Sequence, residues 1–399
     1  MKISIIQPTR NNLKYLKWAY QAIRKNQGSH TVEICVADDF SNDGTWEWCQ
    51  KMMQADSDFK AIRNEGPTRL GHTILYDKLV NEVATADICM IYHADMYLCP
   101  GALDEIEKKI GSKKIVSLTR IEPPLHPPGP EKILLDCGTE PEQFDEHYLL
   151  TFLDGIRGKS EYLKYTTGIF APWAFMKSDF QEIGGHDPLY APQSKEDSDI
   201  FNRFQLNGVE FIQTWQGFVY HMTCRGSRFN PTLTTPGQNS LEWEEQNQRS
   251  TRNFIRKWGH FVKHDQYLKP IIPPKYDIGF IIHNCTDQLL NVLEPWCTDV
   301  YVDMIPDEYI AKEQVNTKFK LSERIHSTRL GPKTNDILVT IDGSRFTNED
   351  FYVIQELATI IKQTNDIGEF AIGNLNIRIN KLITYENDLI TCHDNIYNK

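Results

Sequence analysis

Nine cysteines occur in 399 residues, yet no two stand at C-x-x-C spacing. That spacing argues against a paired-thiolate zinc site, and the odd count argues against a closed disulfide framework. Cys35 and Cys89 lie inside apolar runs, so small reduced thiols packed as hydrophobes are expected. No apolar run reaches the ~18–20 residues that cross a bilayer. Met1-Lys2-Ile3-Ser4-Ile5-Ile6 leads straight into a strand-like segment, without the apolar region of a secretory leader. A cytoplasmic setting is therefore expected. Internal repeats and low-complexity tracts are missing too. Positive charge is in deficit: 43 Lys and Arg stand against 54 Asp and Glu, a formal net charge of -11. Such a chain repels nucleic acid and anionic membranes on average, so a polyanion needs a local basic site. Two stretches offer one: Arg249 to Lys269, and the group Lys312, Lys318, Lys320, Arg324, Arg329 and Lys333. The plainer reading of both is a solvated helix face.

The hydrophobic share, 40%, is enough for a packed core. The length exceeds the ~250–300 residues at which single cores stop growing, so two domains are expected, 1–265 and 275–399. Pro270, Pro273 and Pro274 mark the linker. In the first, short apolar runs alternate with helical patterns. Ile3–Ile6 reads as a strand ending at Pro8, and 32–37 as a strand ending in Asp38-Asp39. Residues 88–92 read as a strand ending in His93-Ala94-Asp95. Helical spacing covers 13–23 and 74–83, and Thr45 is the expected N-cap of a helix carrying Trp46, Cys49 and Met53. Five prolines in 122–130 predict a stiff loop, and 225–240 predicts another, after which Ser240 caps a helix. Strands at 278–282 and 336–341 and a helix over 351–361 make the second domain a small α/β unit. Alternation of this kind predicts a mainly parallel sheet with flanking helices.

In open α/β sheets, ligands bind beyond the carboxyl ends of the strands. Pro8-Thr9-Arg10, Asp39 and Asp95 fall there. Glu196-Asp197-Ser198-Asp199 opens a helix, and His221 follows a strand-like run. Carboxylates with an imidazole suit a divalent metal, and a metal stabilises the charge left on a departing diphosphate. A carboxylate also suits removal of an acceptor proton. Each residue alone has a bland reading as turn former, first-turn dipole partner or surface histidine.

Taken together, the order and spacing resemble the family 2 glycosyltransferases, which have the GT-A fold, over residues 3 to about 259. Ile3 to Asn11 is similar to the family's opening strand. Val36-Ala37-Asp38-Asp39-Phe40-Ser41-Asn42-Asp43-Gly44-Thr45 is similar to its uridine-contacting segment. His93-Ala94-Asp95 occupies the place of the Asp-x-Asp signature, with His93 where an aspartate usually contacts the ribose. Ile183-Gly184-Gly185-His186-Asp187 and Glu196-Asp197 resemble the acceptor-side block, and Phe254-Ile255-Arg256-Lys257-Trp258-Gly259 resembles the helix that closes the domain.

The resemblance implies an inverting transfer from a nucleotide-diphosphate sugar, UDP favoured, with Mn²⁺ or Mg²⁺ as cofactor. It implies Asp197 as catalytic base and Asp95 with His221 on the metal. Pro8, Thr9, Arg10, Asp39, Arg69, His93 and Ala94 fall on the nucleotide, with Arg69 on the diphosphate side. Trp173, Gly185, Asp187 and Glu196 fall on the acceptor, and Trp173 and Trp215 are candidates for stacking on a sugar face. The acceptor implied by default is a glycan or a lipid-linked sugar; a protein and modified phage-type DNA also stay open. Two other functions remain: a nucleotidyltransferase, for which Pro8-Thr9-Arg10-Asn11 lacks a Gly/Lys-rich phosphate loop, and a non-catalytic nucleotide- or glycan-binding protein.

Overall fold

The structure is a computed structural model that describes residues 1–225, 239–392 and 397. The chain divides into two compact units. The first is Met1–Gln246 with His264–Pro270; the second is Asn247–Lys263 with Ile271–Lys399.

Among the described residues the first unit carries ten strands: β1 (Lys2–Thr9), β2 (Thr31–Asp39), β3 (Phe59–Asn64), β4 (Ile88–Ile91), β5 (Met96–Leu98), β6 (Lys114–Glu122), β7 (Lys132–Leu134), β8 (Tyr165–Thr166), β9 (Trp173–Met176) and β10 (Glu210–His221). The sheet runs β3-β2-β1-β4-β9-β6-β10-β5, with β7 beside β6 and β8 beside β10. The strands from β3 to β4 are parallel. β9 is antiparallel to β4 and to β6, while β10 is parallel to β6 and antiparallel to β5. Its helices are α1 (Leu13–Asn26), α2 (Thr45–Ala55), α3 (Gly71–Lys78), α4 (Ala102–Glu107), α5 (Glu146–Ile156), α6 (Lys177–Glu182) and α7 (Glu196–Leu206).

β1 and β2 are buried along nearly their whole length. Strands covered on both faces read as continuous apolar runs rather than alternating ones, which is why 3–6 and 32–37 stood out. Leu16 and Ile23 of α1 pack with Ile3, Ile5 and Ile34 in one core. Each such side chain contributes ~1.5–3 kcal/mol on burial. β1 continues through Pro8 to Thr9, where a strand end at Pro8 was expected. β4 pairs with β1 only as far as Ile6, so Pro8 lies where β1 has β2 alone as neighbour and its missing N–H breaks no second ladder. The N-cap of α2 is Gly44, at φ +87°, and Thr45 is the first helical residue. Asp43 displaces Thr45 from the cap because its carboxylate accepts from the Thr45 backbone N–H at 3.1 Å. The expected loop over 122–130 contains no strand or helix past Glu122. The loop expected at 225–240 falls outside the described residues except at its ends, and Ser240 does cap α8 (Leu241–Trp258), its Oγ accepting from Trp243 N at 3.2 Å.

The second unit has β11 (Ile278–His283), β12 (Asp299–Val302), β13 (Ile325–Ser327), β14 (Ile337–Asp342), β15 (Gly368–Ile372) and β16 (Leu375–Ile379), ordered β13-β12-β11-β14-β16-β15. The first four are parallel and the last two join antiparallel. Helices α9 (Asp287–Leu293), α10 (Asp307–Glu313), α11 (Leu321–Arg324) and α12 (Asn348–Thr364) complete it. The division differs from the expected boundary at 265, since Asn247–Lys263 goes with the second unit. The reason lies in side chains. Ile255 belongs to that unit's apolar core, and the fully buried Arg256 donates to Glu294 at 2.6 Å. The helix expected to close the first domain therefore joins the second.

The same packing decides the basic stretches. Arg252 and Arg256 pair with Glu294 and Glu313, and Lys263 pairs with Glu356. Lys312 and Lys320 pair with Glu308 and Glu323, and Arg324 is buried against Glu294. These pairs offset part of the positive charge of both stretches.

Candidate active site

Because β2, β1 and β4 are adjacent and parallel, their carboxyl ends come together. Thr9 lies opposite Asp38 in the β1–β2 register. Pro8, Thr9, Arg10, Asp39 and Arg69, five residues placed on the nucleotide side from the sequence, line one small cavity of about 30 Å³ together with His72. Asp39 is buried and accepts from the backbone N–H groups of Leu70 at 3.0 Å and Gly71 at 2.8 Å, and from Asn64 Nδ2 at 2.8 Å. It thus ties the 64–71 loop to the sheet edge. An ionised carboxylate has about four lone-pair sites, so capacity for an imide N–H of a base remains. Arg69 Nε lies 3.7 Å from Asp39, and its other end donates to Gln193 Oε1 at 3.0 Å. Burial, and then the charge of Arg10, lower the pKa of Arg69. Thr9 Oγ1 and Arg10 Nε are buried without a hydrogen-bond partner. Orphaned polar atoms are uncommon in native interiors, and a ligand at this edge accounts for both. Gly71 has φ +74°, and a Cβ there would lie 2.0 Å from Pro192 O. Only glycine lets this loop touch the segment that leads into α7.

The metal candidates form a second group. After β4 the chain turns through His93-Ala94-Asp95 into β5, and β5 pairs antiparallel with the end of β10, Met96 opposite His221. Ligand atoms of His93, Asp95 and His221 all lie within 4.8 Å of one another. His221 Nε2 is 3.5 Å from Asp95 Oδ2, and His221 Nδ1 is 2.9 Å from Glu122 Oε1. Glu122 ends β6 next to β10 and is held in turn by Lys132 Nζ at 3.0 Å. A carboxylate on one ring nitrogen fixes the tautomer and leaves the other nitrogen for a cation.

The electrostatics fit a missing positive charge. Burial alone would lower His221, but Asp95 and Glu122 carry it up to about 9. Burial would raise Asp95 and Glu122, yet His221 holds both below the ordinary carboxylate range. Burial lowers His93 to about 4, which keeps it neutral and able to ligate. Two imidazoles and a carboxylate, with a further carboxylate behind, are a donor set that a divalent first-row metal accepts. His93, assigned to the nucleotide by resemblance, thus stands among the metal candidates by position.

The acceptor side is built on α7. Asp197 sits exposed in its first turn, and desolvation by the protein around its carboxyl raises it. Glu196 beside it is buried, with one carboxylate oxygen unpartnered, and burial followed by the charge of Asp197 pushes it up. Asp199 has a different role. It accepts from the fully buried Arg203 at 2.8 Å, and Arg203 also donates to the carbonyls of Ile183 and Gly185 at 2.9 and 2.5 Å. This clamp pins the 183–185 turn against α7.

Several acceptor-side expectations take structural roles. Trp173 is fully buried among Phe175, Phe201 and Phe204, and so is core instead of a sugar platform. Trp215 is 5% exposed and donates to Thr166 Oγ1 at 2.9 Å, which removes it likewise. Asp187 is buried and accepts from Leu189 N at 2.9 Å, closing a turn. Gly185 has φ +68°, and a Cβ there would meet Asp77 Oδ2 at 2.1 Å; its requirement is steric.

Two contributors were not read from the sequence. Glu122 was hidden because β6 was not recognised; the run Ile115-Val116-Ser117-Leu118-Thr119 was the available signal. The Asp77–His186 pair, at 2.7 Å and stacked against Tyr76, joins α3 to the segment before α7, and nothing local announces it. Glu122→Gln should keep the fold but weaken Mn²⁺ binding by roughly 10–100-fold. Calorimetric Mn²⁺ titration, with a thermal melt as control, measures it; unchanged affinity would remove Glu122 from the site.

Residues 4–184 match the family model Glycosyl transferase family 2. No curated protein matches the chain. Solved structures similar to it include GalNAc-T7 with UDP, GalNAc and Mn²⁺ (13% identity, TM-score 0.46, 64% of this chain and 48% of that one). Others are the mannosyltransferase PcManGT from Pyrobaculum calidifontis with GDP-Man and Mn²⁺ (17%, 0.43, 68% and 67%) and S. aureus TarS 1–349 (14%, 0.40, 55% and 60%). The chain spans less than half the length of the first of these. The strand order itself defines a mixed α/β protein, parallel from β3 to β4, with a second α/β sheet in the second unit. The family match covers less than half of the chain and says what residues 4–184 are similar to. Among the described residues no helix is long and apolar enough to cross a membrane.

Proposed function

We propose that this protein is a metal-dependent, inverting glycosyltransferase. It moves a sugar from a nucleotide diphosphate, UDP favoured, to an acceptor hydroxyl of a glycan or lipid-linked sugar. The observation that carries the reading is the His93, Asp95 and His221 group, backed by Glu122 and set at the strand edge that also holds Asp39. In this reading the residues of the first unit, 1–265 by the expected boundary, bind the donor. Asp39 accepts from the base, Thr9 and Arg10 present their unpartnered donors to it, and Arg69 faces the diphosphate side. Asp95 and His221, joined by His93, hold the cation; when bound, Mn²⁺ or Mg²⁺ supplies positive charge against the leaving diphosphate. Asp197 takes the proton of the attacking hydroxyl, its raised carboxyl making it a stronger base than a free aspartate. Desolvation keeps that carboxyl high against the opposing influence of His186.

The test is calorimetric titration of UDP with and without Mn²⁺, repeated with GDP, CDP and TDP. One nucleotide should bind, and only with metal. Failure of all four on folded protein would overturn the donor reading in favour of non-catalytic binding of another ligand. Product formation with a panel of sugar nucleotides then separates an enzyme from a binding protein.

A further inference from the structure

The second unit contains a cavity of about 600 Å³, within the ~300–1,000 Å³ range of small-molecule sites. It lies at the amino ends of the parallel strands. Asp277 precedes β11, Asp299 opens β12, Arg324 precedes β13 and Asn335 precedes β14, and all four line it. Open α/β sheets normally hold ligands at the opposite edge, so the fold class alone does not account for it.

Its lining holds four cations, Arg256, Lys257, Lys275 and Arg324, against three carboxylates, Asp277, Asp299 and Asp388, and the arginines are held from behind the wall. Arg252, Arg256 and Arg324 share two carboxylates, Glu294 and Glu313. Arg324 is 5% exposed and lies 3.3 Å from Glu294 Oε1; it donates to Cys297 O at 2.7 Å, and its Nε has no hydrogen-bond partner. Lys275, on the same wall, donates to Arg256 O at 3.1 Å. Among the described residues no carboxylate comes within 4.0 Å of its ammonium. A carbonyl stabilises an ammonium but does not neutralise it. Burial, and then the charge of Arg324, lower Lys275 to about 8.

Two acids on the wall, Asp277 and Asp299, are already partnered. Asp277 and Asp299 accept from Asn335 Nδ2 at 2.8 and 2.7 Å, and Asp299 also faces His326 at 3.1 Å. Their remaining lone pairs suit hydroxyl groups.

We propose that this cavity binds a small phosphorylated sugar or polyol, its phosphate held by Lys275 and Arg324 and its hydroxyls by Asp277 and Asp299. This site is independent of the donor site in the first unit. The experiment is calorimetry on the full chain in EDTA, which silences the metal site, with glucose 1-phosphate and ribose 5-phosphate as probes. Inorganic phosphate and glucose are separate arms. A phosphorylated sugar should bind saturably and more tightly than phosphate, and glucose should give no binding. Lys275→Met should weaken binding by more than about tenfold. Thr334→Trp should do the same by filling the cavity from an exposed lining position, without touching a buried charge. It therefore keeps the test open if Lys275→Met does not fold. No saturable binding of either probe, or affinity unchanged in Thr334→Trp, overturns the proposal, and so does phosphate binding as tightly as the sugar phosphates.

Discussion

Asp197→Asn is expected to lower sugar transfer by ~10²–10⁴, the usual contribution of a positioned general base, while metal-dependent nucleotide binding stays near wild type. The substitution is nearly isosteric, and Asp197 is exposed in the first turn of α7, so little packing changes. What is lost is the proton acceptor. Its neighbour Glu196 is buried, and burial favours its protonated form, so it is poorly placed to substitute. Initial rates with the donor identified by titration, alongside the nucleotide affinity of the same variant, make the measurement. Wild-type transfer in the variant would remove Asp197 from the chemistry. Equal loss of transfer and of nucleotide binding would mean that the substitution disturbs the donor site.

Asp95→Ala is expected to abolish the metal dependence of nucleotide binding, an effect larger than the roughly 10–100-fold expected for an outer-shell change such as Glu122→Gln. Removing the carboxylate leaves His93 and His221 without the group that faces His221 Nε2 at 3.5 Å. Titration of UDP in the presence and absence of Mn²⁺ reads it directly. If the variant keeps full metal dependence, the cation sits elsewhere and Asp95 serves only to hold His221. Comparing the Asp95 and Glu122 variants orders the two shells. A larger loss at Glu122 would make it the ligand and Asp95 the support.

Much of the first unit was legible because its signals are local. The buried runs of β1, β2 and β4 are continuous, and turn and acidic residues follow each, so the strand ends could be placed from composition alone. Asp39, Asp95 and His221 follow from those strand ends, while Asp197, at the start of α7, takes its role from the family resemblance. Errors came where local signals serve two purposes. Trp173 is aromatic near the candidate site, but its surroundings of Phe175, Phe201 and Phe204 come from distant segments. Gly185 and Asp187 read as acceptor contacts, yet one is required by the approach of Asp77 and the other by a turn. The helix at 254–259 was assigned to the wrong unit because its buried arginine finds its carboxylates after the proline-rich linker, at Glu294 and Glu313.

The sequence by itself determined the alternation of strands and helices, the parallel character of the central sheet and the edge where acidic residues gather. Each of these follows from hydrophobic period and turn chemistry over a few residues. Only the tertiary structure decided that His93, Asp95 and His221 converge and that Glu122 stands behind them. That convergence depends on β5 folding back antiparallel on β10 while β6 runs parallel beside it. Pairings between strands so far apart in the chain leave no periodicity in the sequence. Likewise, the cavity of the second unit is lined both by Arg256 and Lys257 of α8 and by residues at the amino ends of strands that begin after the linker.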